Sequence, residues 1–273
     1  MQNLTNGPFG SYFFLKFLGQ GDFAEVYLAE HYCSKDQVAL KILHPHLRNT
    51  LGHLFLDATR IMARLDHPHI LRILDVGTEA SGTAEQRNEY VYVALSYAVH
   101  GSARHYHQQG TRVALPTIVQ YVQQLASALQ YAHAQEIMHL RLKPENILVG
   151  AHNELLLSDF GFSDNRFLTT QASLPSVLYA APEQILGKPH MKSDQYALGA
   201  IVYEWLCGAP PFTGSVKEVM AKHLQKEPRP LHERVPAISP LIEEVIMIAL
   251  AKDPKDRFAS ITAFATAFEQ AVR

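Results

Sequence analysis

Cysteine is scarce in this chain, tryptophan scarcer still, and no apolar run is long. Two cysteines, Cys33 and Cys207, stand among 273 residues. They lie far apart and read as free thiols of a reducing compartment rather than as a disulfide, which points to a cytoplasmic location. The longest uncharged apolar stretch, around Tyr196–Tyr203, stops at Glu204. That is far short of a membrane span and fits a buried helix, so no membrane segment is expected. The opening MQNLTNGPFG has neither a charged region nor an apolar core and does not read as a signal peptide. Charge is also modest: charged residues make up 18% and the formal net charge is −2, which gives no electrostatic case for nucleic acid or an anionic membrane as partner. Internal repeats and low-complexity tracts are absent.

Apolar residues, by contrast, make up 47%, an ordinary globular share, and the length suits one large domain or two lobes with real cores. Histidine is abundant at 15. The pairs His44/His46, His67/His69 and His105/His107 have no cysteine or carboxylate cluster at zinc spacing beside them, so exposed or turn histidines are the better reading. Up to about Ser96 the pattern is mostly strand. Tyr12–Gly19, Glu25–Ala29, Gln37–Leu43, Ile70–Val76 and Tyr90–Ser96 carry β-branched, aromatic and leucine residues between turn signals. One helix is predicted at Leu51–Leu65. The polar insert Thr78–Asn88 reads as a hairpin loop. After about Gly101 the periodicity becomes helical, with helices expected over Thr117–His133, Ser193–Cys207, Ser239–Lys252 and Ile261–Val272, and connecting loops at Gly208–Gly214 and Pro228–Pro236. The fold class is therefore α+β: a small strand-rich lobe (about residues 10–97) and a larger helical lobe (about residues 100–272), with a ligand cleft expected where they meet.

Short motifs then fall in a fixed order. Gly19-Gln20-Gly21-Asp22-Phe23-Ala24-Glu25-Val26 fits G-x-G-x-x-G-x-V with alanine at the third glycine; Gly19 and Gly21 let the backbone approach a phosphate without a Cβ clash. Val38-Ala39-Leu40-Lys41 places a lysine in an otherwise apolar strand, where an unpaired ammonium is costly and needs a reason. His139-Leu140-Arg141 precedes Leu142-Lys143-Pro144-Glu145-Asn146. Asp159-Phe160-Gly161 and Ala181-Pro182-Glu183 follow. One such tripeptide is weak evidence; all of them in order are not.

With these motifs the whole chain resembles a bacterial, eukaryotic-like serine/threonine protein kinase domain, a bilobal protein-kinase-like fold forming a single domain over residues 1–273. The resemblance implies roles. Lys41 would hold the α- and β-phosphates of ATP or ADP, and Asn146 and Asp159 would hold Mg²⁺. Val26, Ala39 and Leu148 would sandwich the base, Ser96 and Ala98 would face adenine from the hinge, and Leu95 would be the gatekeeper. Lys143 would contact the transferred phosphate, and Arg257 would pair with Glu183.

Four positions depart from the pattern. Ala24 for the third glycine is mild. Ala58 falls where a helix glutamate should pair with Lys41, and the neighbouring Asp57 lies about 100° around the helix. Arg141 stands where an aspartate accepts the proton of the substrate hydroxyl, and a guanidinium cannot accept a proton. Such a base is worth roughly 10²–10⁴ in rate. Leu140 replaces the arginine that senses a phosphorylated activation segment, so phosphate on Thr169, Thr170 or Ser173 would lack its usual partner. Asp164 is the nearest carboxylate that could stand in as base. Replacing two carboxylates by Ala58 and Arg141 makes the phosphate end of the cleft more positive by about three charges. The expectation is a pseudokinase that binds ATP or ADP with little dependence on Mg²⁺ and serves an unidentified protein partner. The alternatives are an active serine/threonine kinase using Asp159 or Asp164 on a protein substrate, and a partner-binding domain that holds no nucleotide.

Overall fold

The computed structural model describes residues 7–21, 23–83, 86–160 and 173–273. Gly161, Asp164, Thr169 and Thr170, all invoked above, lie outside the described residues, as does Asp22. The chain divides into two compact units: Met1–Asp66 with Leu71–Val99, and His67–Ile70 with His100–Arg273. The fold is a bilobal α+β protein-kinase-like fold.

The first unit is a six-stranded antiparallel sheet in the order β1-β2-β3-β4-β6-β5. Its strands are β1 (Pro8–Phe9), β2 (Tyr12–Gln20), β3 (Ala24–His31), β4 (Gln37–Leu43), β5 (Ile73–Thr83) and β6 (Gln86–Ser96). Side chains alternate across a strand, and β4 uses both faces. Val38, Leu40 and Ile42 enter an aromatic core with Phe9, Tyr12, Phe14, Tyr27 and Ala94, onto which Tyr90 and Tyr92 pack. Ala39, Lys41 and Leu43 take the other face. One helix, Arg48–Met62, turns Leu51, Phe55, Ala58 and Met62 inward.

Two expectations are corrected here. The insert Thr78–Asn88 is mostly not loop: β5 and β6 stay in register from Thr78↔Val91 to Thr83↔Gln86. Ladder bonds are made by the backbone, so a polar run can pair as well as an apolar one. The strand expected from Ile70 begins at Ile73, and Ile70 instead bridges Leu157 in the second unit.

The second unit is built on the helix Met191–Cys207, buried almost all round. It ends at Gly208, whose φ of 83° is the left-handed conformation that suits glycine at a helix end. The helices Leu115–His133, Pro240–Ala249 and Ile261–Val272 surround it. A Cβ on Gly199 would stand 2.9 Å from that of Ala249, so the glycine lets two helices approach closely. A short hairpin, β7 (Ile147–Val149) and β8 (Leu155–Leu157), carries Leu148. The helix Val216–Gln225, absent from the periodicity reading, is opened by a capping box in which Ser215 and Glu218 bond reciprocally.

Candidate functional site

Within the first unit, Gly19 lies opposite Val26, and the Gly21 N–H donates to the Ala24 carbonyl at 2.8 Å. Neither glycine has a positive φ. A Cβ on Gly19 would meet no atom within 4 Å, and one on Gly21 would meet only the Ala24 carbonyl, at 3.7 Å. Backbone conformation and packing therefore do not demand glycine at either place. What the two glycines provide is unfilled room beside the turn.

Lys41 lies opposite Val26 on β3 and Val93 on β6, and Ala39 lies opposite Leu28 and Leu95. Directly opposite residues point to the same side of a sheet. Val26, Ala39, Lys41 and Leu95 thus share one face, and the aromatic core occupies the other. At the end of β6, the Ser96 N–H donates to the Arg72 carbonyl at 2.9 Å, while Ala98 is buried in the segment that follows. Ala58 is buried on its helix. Asp57 is turned to solvent, 61% exposed, with its carboxylate 2.9 Å from the Arg60 guanidinium. The one carboxylate adjacent to Ala58 is engaged at the surface.

Within the second unit, the segment His139–Asn146 is held from below by a wholly buried carboxylate. Asp194 accepts the His139 N–H at 2.9 Å, the Leu140 N–H at 2.8 Å and a bond from His133 Nε2 at 2.7 Å. The Gln184 side-chain amide donates to the Leu140 carbonyl at 2.5 Å, so the Leu140 backbone is gripped on both sides. That grip holds a strained residue: Leu140 has a φ of 57° and Asp159 one of 66°, a conformation unfavourable for residues with a Cβ. His139 is fully buried against Phe160, with ring centroids 4.4 Å apart. Burial pushes its imidazole below the ordinary value despite the opposing carboxylates Asp194 and Asp159, so the ring is neutral and Nδ1 accepts the Arg141 N–H.

Arg141 itself is half-buried, and its carbonyl accepts the Asn146 side-chain N–H at 2.8 Å. That bond orients the Asn146 amide. Ser158 ties the segment to the Asp159 strand end through two bonds to the Asn146 carbonyl, at 2.9 and 3.0 Å. Lys143 caps the turn Pro144–Asn146, and Leu148 follows on β7, bridged to Ser102. Arg141, Lys143, Asn146, Leu148 and Asp159 all belong to this unit. Gly19, Gly21, Val26, Ala39, Lys41, Ser96 and Ala98 belong to the first. Among the described residues, no group of three or more His, Cys, Asp or Glu could hold a metal ion. Asn146 and Asp159 supply two oxygen side chains, which suits Mg²⁺ with the rest of its shell from phosphate and water.

Two further charged arrangements lie in this unit. Arg257 makes a bidentate pair with Glu183, at 2.7 and 2.8 Å, with its side chain wholly buried, as the resemblance implied. Burial raises the Glu183 carboxyl, but Arg257 and the Ser193 hydroxyl more than offset this and hold it below the usual carboxylate range. The other arrangement was not anticipated. Arg104 bonds Glu145 at 3.1 Å, Glu204 at 2.6 Å and the Tyr179 hydroxyl, which itself donates to Glu204. Glu204 and Asp194 gave a signal that the sequence reading did not use, because a carboxylate inside an apolar helix needs a partner. Arg104 and Gln184 gave none, since their partners are distant in sequence.

Comparison with known proteins bears on the family and the fold. The family model described as "Protein kinase domain" matches residues 12–269. The chain is 32% identical to serine/threonine-protein kinase PrkC of Bacillus subtilis over 91% of its length and 38% of that protein's. It is 35% identical to serine/threonine-protein kinase Pkn1 of Myxococcus xanthus over 96% of its length and 38% of that protein's. It thus spans well under half of these relatives. Among solved structures, the PknI kinase domain of Mycobacterium tuberculosis aligns with a TM-score of 0.76 at 28% identity, covering 98% of both chains. The chain therefore belongs to the protein kinase domain family, among the bacterial eukaryotic-like serine/threonine kinases.

Proposed function

We propose that this chain is a pseudokinase: a kinase-fold module that binds ATP or ADP, transfers phosphate poorly or not at all, and serves as a nucleotide-responsive scaffold for a protein partner. The observation that carries the reading is Arg141. It sits in a segment whose supports are intact, so the cation is not a by-product of a collapsed loop. His139, Asp194 and Gln184 hold the segment in place, and a guanidinium there cannot take the hydroxyl proton. Ala58 is the second loss, and Asp57 does not make it good.

Nucleotide binding is supported by the unfilled room at Gly19 and Gly21 and by Lys41 on the face it shares with Val26 and Ala39. Lys41 would hold the α- and β-phosphates, Lys143 the terminal phosphate, and Val26, Ala39 and Leu148 the base, with backbone groups of Ser96 and Ala98 toward adenine. Asn146 and Asp159 would hold Mg²⁺, which when bound neutralises phosphate charge. With two carboxylates lost and a cation gained, part of that neutralisation passes to the protein, so dependence on the metal is weak. A cytoplasmic setting fits this use; among the described residues no helix is long and apolar enough to cross a membrane.

Calorimetric titration with ATP and ADP, with Mg²⁺ and with EDTA, tests the reading. The expected result is an affinity that changes less than about tenfold on removing the metal, a difference of about 1.4 kcal/mol. Affinity that vanishes in EDTA refutes the weak dependence. Phosphate transfer by the wild type that is abolished in Lys41→Ala overturns the pseudokinase reading.

A further inference from the structure

His44 follows the last residue of β4, and at 5% exposure it is buried. Its backbone N–H donates to the Phe23 carbonyl at 2.8 Å, extending the β3–β4 ladder by one step. Its ring turns back toward the glycine-rich turn, with Nε2 3.2 Å from the Gly21 carbonyl oxygen. A carbonyl only accepts, so Nε2 carries the proton and donates. Nδ1 is buried as well, and among the described residues it has no partner. The exposed His46 stacks on the ring, with centroids 5.6 Å apart and planes 12° from parallel.

An apolar side chain would fill this place without burying an orphan nitrogen, which is unfavourable. What histidine adds is the bond to Gly21. The Gly21 N–H is already committed to Ala24. With the His44 bond, both polar groups of the Gly21 backbone are fixed while the outer side of the glycine stays open. We propose that His44 is a positioning residue that holds the glycine-rich turn in the shape that receives the phosphates of a nucleotide. The proposal rests on the nucleotide-binding reading above and adds to it a residue with no place in the phosphate-binding motif.

The test compares wild type, His44→Leu and His44→Gln by titration with ADP and with adenosine. Leucine removes the donor; the glutamine amide can restore it. The expected result is about a tenfold loss of ADP affinity in His44→Leu, the size of one lost hydrogen bond, with adenosine affinity within about twofold and most of the loss recovered in His44→Gln. Equal losses for ADP and adenosine, or none for either, overturn the proposal. If the wild type binds no nucleotide, the binding reading fails by itself. Amide hydrogen exchange then decides the positioning claim: His44→Leu has to speed exchange at Gly21 and Ala24 and leave Leu28–His31 unchanged, and unchanged exchange at Gly21 and Ala24 refutes it.

Discussion

Lys252 brings its ammonium nitrogen to a buried place, with no hydrogen-bond partner among the described residues and the Phe212 ring centre 4.8 Å away. Burial pulls its pKa down to about 8 against the opposing pull of Glu227, and Arg257 adds to the lowering. The sign follows from linkage. The unfolded lysine titrates near 10.5, so the folded state disfavours the charged form and stability falls as pH drops from 10.5 towards 8. Lys252→Met removes that penalty and keeps the volume. Its Tm should rise by roughly 2–4 °C at neutral pH, and scanning calorimetry should show the gain shrinking as pH approaches 10.5. A constant gain across that range would mean that packing, not charge, is responsible. Other single residues were legible in different degrees. Arg257 and Glu183 were expected to pair and do. His44 was read with its pair as an exposed or turn histidine and is instead buried, because a side chain bonding a backbone carbonyl twenty-three positions earlier leaves no local pattern.

The helix Val216–Gln225 shows what periodicity misses and why. Only Val219 and His223 are buried on it, too few to mark an apolar face. The usable signal was its start, Ser215 followed by Glu218. By the same logic β4 was plain to read, since its apolar residues are nearly continuous, whereas the Thr78–Asn88 ladder was hidden by polar composition. His223 gives this helix a function in the unit. Its ring is wholly buried, 2.7 Å from the Tyr196 hydroxyl and 3.2 Å from the Leu178 carbonyl. The carbonyl fixes the proton on Nε2, so Nδ1 accepts from Tyr196. Burial, with Lys252 assisting, pushes the imidazole pKa down to about 3. An unfolded histidine takes up a proton near 6.5, which the folded one refuses, so stability drains away as pH falls from 6.5 towards 3. One such group contributes at most about 1.4 kcal/mol per pH unit. Urea midpoints measured across this window should fall less steeply in His223→Gln than in the wild type. At neutral pH the variant should be less stable by about 1–3 kcal/mol, with a buried hydroxyl or carbonyl left unmatched. Equal slopes would show that other groups carry the acid sensitivity.

At the scale of the whole molecule, the two losses fall in different units: Ala58 on a helix of the first, Arg141 in a segment of the second. Under the proposed reading they strike separate requirements of one reaction, the setting of Lys41 and the acceptance of a proton. Repair of either alone should therefore achieve little. Phosphate transfer by Arg141→Asp should stay below about a tenth of that by Arg141→Asp/Ala58→Glu, because the single variant still lacks the glutamate that sets Lys41 for transfer. Since Ala58 is buried, an unchanged Tm in the double variant is the accompanying control. A single Arg141→Asp variant as active as the double would show that Lys41 is already set without the glutamate. The motif order made the family and the fold readable from the sequence. The supports of the segment His139–Asn146, Asp194 and Gln184, emerged only once distant helices were placed beside it. Leu140 is gripped at both its N–H and its carbonyl. A hydrocarbon side chain cannot tell a phosphorylated neighbour from a bare one. The segment is held by Asp194 and Gln184 at the Leu140 backbone, so a phosphate placed beside Leu140 would find no charged side chain there to pair with.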